Sequence, residues 1–138
     1  MRASLFYRAA AILLVLFAVA HTLGFSQPDP QWHVDALVAS MRSVHVDAMG
    51  SSRSYWDFFM AGGLCVGLFY LLSGVLACQL AGLPGETLAK MRTTIWALAL
   101  CFAAVIVVSW LYLFVIPVAF SAVITLRLTA GAWLSPRS

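Results

Sequence analysis

The sequence predicts an all-α membrane protein: a four-transmembrane-helix bundle, N-in/C-in, with an amphipathic helix in the first outer loop. Three observations predict it. Of the 138 residues, 63% are hydrophobic and only 9% charged, where ordinary soluble domains carry roughly a quarter charged. A chain this short has too little interior to hide so much apolar surface from water, so lipid is the solvent for most of it. The apolar residues also come in runs long enough to cross a bilayer, and the cations are shared unevenly between the segments that join those runs.

A helix needs about 20 residues to cross a hydrocarbon core of ~30 Å. Residues 5–25 form the first such run, with Arg8 as its one charge. Arg2, Arg8, the apolar stretch 9–17 and Ala18-Val19-Ala20 also resemble a signal peptide ending in an A-x-A site. The apolar run continues to Phe25, which favours an uncleaved span. Residues 55–80 form the second, apolar apart from Asp57, Ser73 and Gln79. Residues 93–134 carry a single charge, Arg127. At 1.5 Å per residue that run is about 63 Å long, twice the core, so it folds back on itself. Trp110 and Tyr112 read as interface aromatics and Pro117 suits a first helical turn, which predicts spans at 93–112 and 117–134. Residues 1–138 are read as a single membrane domain.

Cytoplasmic segments carry the excess of Lys and Arg. With both termini inside, that side holds Arg2, Arg8, Lys90, Arg92, Arg127 and Arg137, against Arg42 and Arg53 outside. Asp29, Asp35, Asp47 and Asp57 then lie outside. Arg8 and Arg127 are near enough to the inner ends of their spans to snorkel, and Gln79 can reach Arg127 at that level.

The first outer loop repeats the tetrapeptide HVDA at 33–36 and 45–48. Val34, Leu37, Val38, Met41, Val44 and Ala48 recur at helical spacing, which predicts one amphipathic helix over 33–49 with Gly50 as its stop signal. Within each His-x-Asp pair the two side chains point about 200° apart on a helix, so neither pair chelates by itself and no metal site is expected. Cys65, Cys78 and Cys101 all lie in apolar runs and read as small hydrophobes. No cofactor is expected, and no basic stripe suits a nucleic acid.

In the second span Gly63-x-x-x-Gly67, extended by Gly74, predicts a small face that another helix approaches closely. Ionisable residues within spans mark functional sites by default. His21 is about 6 Å below the outer end of the first span and Asp57 about 3 Å into the second, so their depths match. A carboxylate beside an imidazole orients it and raises its basicity. His21 and Asp57 are therefore the candidate catalytic pair, and Arg53, Tyr55, Trp56, Trp110 and Tyr112 the candidate pocket residues around them. The plainer reading is a polar pair pinning two helix ends inside an ordinary aromatic belt.

The stretch Gly50-Ser51-Ser52-Arg53-Ser54-Tyr55-Trp56-Asp57-Phe58-Phe59, with His21-Thr22 before it, resembles a family of small bacterial four-helix integral membrane proteins without an assigned activity. The resemblance implies a four-span inner-membrane protein and carries over no catalytic role.

Three functional readings result. The chain binds a lipid or hydrophobic small molecule near the outer leaflet, at His21 and Asp57. As the enzymatic variant, an isomerase or hydratase uses that His–Asp pair. In the third reading the chain is a non-catalytic accessory or assembly subunit whose glycine face meets a protein partner or a second copy.

Overall fold

The computed structural model describes residues 2–135, with Arg2 and Ala48 described by their backbone alone. Arg137, counted above among the inner cations, lies outside the described residues. The fold is all-α. Four helices are long and apolar enough to cross a membrane: α1 (Arg2–Gly24), α3 (Tyr55–Gly82), α5 (Arg92–Tyr112) and α6 (Val115–Leu134), with the shorter α2 (Asp35–Ser43) and α4 (Gly85–Lys90) between them. Such helices satisfy every backbone group internally, the condition for crossing lipid. The 28 residues of α3 make a helix of about 42 Å, some 12 Å longer than a ~30 Å core.

The segment between α1 and α3 departs from expectation. The helix predicted over 33–49 is confined to Asp35–Ser43, and the second HVDA copy is a strand. Strands β1 (His45–Ala48) and β2 (Ser51–Ser54) pair antiparallel, with Val46 opposite Arg53 and Ala48 opposite Ser51. Gly50 is therefore not a helix stop. Met49 (φ 52) and Gly50 (φ 81) are the two central residues of the hairpin turn. Positive φ at both positions is the type I′ geometry that matches the twist of paired strands. Upstream, Pro30 opens a 3-10 turn capped by the Asp29 carboxylate, and His33 closes it in the left-handed region at φ 50. Val38 and Met41 on α2 and Val34 just before it are half-buried, while Leu37 and Val44 are exposed.

The chain packs as two units, Met1–Phe17 with Tyr70–Ser138, and Ala18–Phe69. In the first, the buried positions form one stripe per helix: Tyr7, Ala10, Ala11 and Leu14 on α1; Tyr70, Ser73, Ala77 and Leu80 on α3. Ile95, Ala99, Phe102 and Ser109 follow on α5, and Ser121, Ile124, Leu128 and Ala132 on α6. Steps of three, four and seven residues put each set on one helical face. Phe17 stacks on Tyr70 at 4.3 Å, and Phe102 meets Tyr70 edge-on at 5.4 Å. The two buried tyrosines end on serines: Tyr70 Oη lies 3.2 Å from Ser121 Oγ and Tyr7 Oη 3.0 Å from Ser135 Oγ. Ser135 donates its own hydrogen to Gly131 O at 2.8 Å, so Tyr7 is the donor in its pair. Among the described residues no buried side-chain nitrogen or oxygen lacks a partner.

Between α5 and α6 the chain reverses over Leu113 and Phe114, both extended (ψ −161 and 176). Pro117 is the third residue of α6 and buried, where a missing N–H leaves no intrahelical bond unmade. Arg127 is exposed, with its guanidinium over the Phe6 ring at 5.7 Å.

Candidate functional site

Asp57 is the third residue of α3, one turn from the strand that leads into it. Its Oδ2 accepts the backbone N–H of Ser54 at 2.8 Å, and its own N–H donates to Ser54 Oγ at 3.2 Å. This reciprocal pair is a capping box: each side chain satisfies a backbone N–H that the helix start leaves free. A carboxylate there also faces the positive end of the helix dipole. Asp57 is exposed and Ser54 buried. Arg53, on β2, is among the charges that act on Asp57.

Ser54→Ala should cost about 1 kcal/mol of stability, the usual loss for an N-cap serine. Once Ser54 is replaced, Asp57→Ala should cost less than it does alone, since the two bonds form one unit. Unfolding midpoints of the two single variants and the double variant measure this. Strict additivity would mean that the bonds are independent.

His21, in the last turn of α1, places Nε2 3.0 Å from Gly63 O. A carbonyl only accepts, so Nε2 carries the proton in this bond. The imidazole stacks on Phe25 at 5.2 Å. Phe25 packs against Phe59 at 5.8 Å, Phe59 against Trp56 at 5.3 Å, and the Arg42 guanidinium covers Trp56 at 4.7 Å. A line of rings thus runs from the end of α1 across the first turns of α3 to α2. Tyr55 contacts Phe58 edge-on at 6.5 Å, and its backbone N–H donates to Val44 O.

Gly63 and Gly67 receive the end of α1. The Phe25 ring occupies the space a side chain at Gly63 would need, and Thr22 Oγ1 the space at Gly67. At Gly74 the neighbours of an added Cβ are Val15 Cγ2 at 2.9 Å and Leu14 Cβ at 3.4 Å. The small face of α3 is filled by α1 of the same chain.

The site residues expected together thus have separate engagements: His21 with Gly63, Asp57 with Ser54, Trp56 with Arg42. Trp110 and Tyr112 belong to the other packing unit, where they are 75% and 79% exposed at the end of α5. Among the described residues no group of three His, Cys, Asp or Glu is placed to hold a metal ion.

A second feature was not anticipated. A groove of about 670 Å³ opens between the last turns of α3 and the first turns of α5. From α3 come Leu76, Gln79, Leu80 and Gly82, with Leu83 just past its end. From α5 come Thr94, Ala97, Leu98 and Cys101. The α5 set repeats the i, i+3, i+4, i+7 spacing of one helical face, and Leu76, Gln79 and Leu80 its i, i+3, i+4 part, so two stripes with little polar content flank the same gap. Its volume is that of a site for a small hydrophobic molecule, for which about 300–1,000 Å³ is usual. The matched stripes were readable in the sequence; the space left between them was not.

Fold and grooved apolar surface define a multi-pass, all-α membrane protein. Comparison with protein-family models, curated proteins and solved structures finds no match to this chain.

Proposed function

We propose that this chain is a multi-pass protein of the bacterial cytoplasmic membrane that binds a lipid chain or similar hydrophobic molecule. The observation that carries the reading is the groove of about 670 Å³ between α3 and α5. Gln79 and Thr94 are its hydrogen-bonding side chains in an otherwise apolar lining, the usual composition of a lipid or small-molecule site. With the termini inside, as the cation distribution favours, the α3–α5 connection is cytoplasmic and the groove opens toward the inner leaflet. That differs from a pocket at His21 and Asp57, whose Nε2 and Oδ2 are taken up by backbone partners. An accessory subunit docking through the glycine face has less support, because α1 fills that face at Gly63, Gly67 and Gly74.

The test is Ala97→Trp, which places an indole in the groove. Native mass spectrometry of the full chain released gently from membranes should find one retained lipid on the wild type. The variant, with unchanged helix content, should lose most of it. Equal retention by both proteins would sink the reading.

A further inference from the structure

We infer that the groove between α3 and α5 takes an anionic glycerophospholipid, one acyl chain lying along the groove and the phosphate between Lys90 and Arg92. The inference rests on the groove reading above and adds the identity of the occupant.

The length of the groove comes first. From Met91, the cap of α5, to Cys101, the last lining residue along that helix, is about 15 Å. That is half of a ~30 Å hydrocarbon core, the depth of one leaflet. Between Leu76 and Gly82 the groove follows α3 for roughly 9 Å. A groove of that length with an apolar lining suits an acyl chain.

The connection between α3 and α5 then selects the headgroup. Lys90 ends α4, Arg92 begins α5, and Met91 between them lines the groove. Lys90 is exposed and Arg92 half-buried. Glu86, one turn earlier on α4, opposes them, leaving two cations against one acid at this connection. The imbalance is wider than the connection. Residues 1–17 and 70–138 carry Arg2, Arg8, Lys90, Arg92, Arg127 and Arg137 against Glu86 alone, while the other four acids fall within 18–69. Thr94 is one turn deeper than Met91, about 4.5 Å, the level at which ester carbonyls follow a phosphate. Its hydroxyl and the Gln79 amide can donate to them.

The test uses the full chain in nanodiscs of equimolar phosphatidylcholine and phosphatidylglycerol with identical acyl chains, followed by native mass spectrometry of the lipid retained on release. Wild type should retain phosphatidylglycerol in about tenfold excess, the scale of one or two cations near a membrane surface. Lys90→Gln with Arg92→Gln should return the ratio to about one while a lipid is still held. Lys90→Gln alone, at an exposed position that leaves folding intact, should lower it about threefold. Arg53→Gln, in the other packing unit, should leave the excess unchanged. A bulk ratio on wild type, an excess that survives the double variant, or an equal loss in Arg53→Gln would each overturn the headgroup assignment while leaving the groove occupied. Retention of no lipid at all by wild type would overturn the groove reading itself.

Discussion

Gly131→Ala should destabilise the folded chain by about 2–4 kcal/mol, although alanine is the better helix former. The added Cβ would lie 2.6 Å from Tyr7 Cε1 and 2.8 Å from Cζ, inside contact distance. The ring has nowhere to retreat, being 0% exposed. Its hydroxyl donates to Ser135 Oγ, which in turn donates to the carbonyl of Gly131 itself. Moving the ring therefore strains buried hydrogen bonds as well as packing, and an unsatisfied buried group adds about 1–3 kcal/mol. Chemical unfolding in detergent micelles measures the change. Tyr7→Leu makes room and should recover part of the loss in the Gly131→Ala background, giving a coupling of at least about 1 kcal/mol. A neutral Gly131→Ala, or strict additivity with Tyr7→Leu, would mean that the ring moves freely.

Gly63→Val should be at least as damaging, with a loss of about 3 kcal/mol or more, at the upper end of overpacking. The Phe25 ring occupies the place of the new side chain. That ring is held between His21 and Phe59, and His21 is hydrogen-bonded to the carbonyl of Gly63. Because valine branches at Cβ, no rotamer turns all of it away. Gly62 supplies the control, since a Cβ there meets nothing within 4 Å. Gly62→Val should change stability by less than about 1 kcal/mol. The fluorescence of Trp56, two ring contacts from Phe25, should shift in Gly63→Val and stay constant in Gly62→Val. Equal behaviour of the two neighbours would remove the case for a packed glycine face.

The spans were legible because lipid imposes a length and an apolar composition that any reading of the sequence detects. The outer loop was less legible. The spacing of Val34, Leu37, Val38, Met41, Val44 and Ala48 suits a helix, yet Val44, Val46 and Ala48 also alternate as a strand does. The two HVDA copies make the ambiguity concrete. The first leads from a left-handed His33 into α2, whereas the second precedes Met49-Gly50 and finds its partners in Ser51–Ser54. Four residues do not determine their own structure when the partner strand lies outside them.

At the candidate site, residue counting supplied the depths of His21 and Asp57 but could not supply their backbone partners. The S-x-x-D spacing of Ser54 and Asp57 is a helix-start signature, and it explains that carboxylate more simply than an acid–base pair does. For Gln79 the count from the helix end suggested a partner for Arg127, but the side chain lines the groove and the arginine lies over Phe6.

The reversal at Leu113 and Phe114 bears on how the chain enters a membrane. From Trp110 to Phe120 there is no charged side chain, and only two residues separate α5 from α6. Nothing in that tip resists passage through hydrocarbon except a short length of unpaired backbone. Helices α5 and α6 can therefore be inserted together as one preformed hairpin. With the N-terminus inside, the segment between α1 and α3, with three acids and two arginines before Tyr55, is a hydrophilic load to be carried across. The two halves of the same small protein thus place different demands on the insertion machinery.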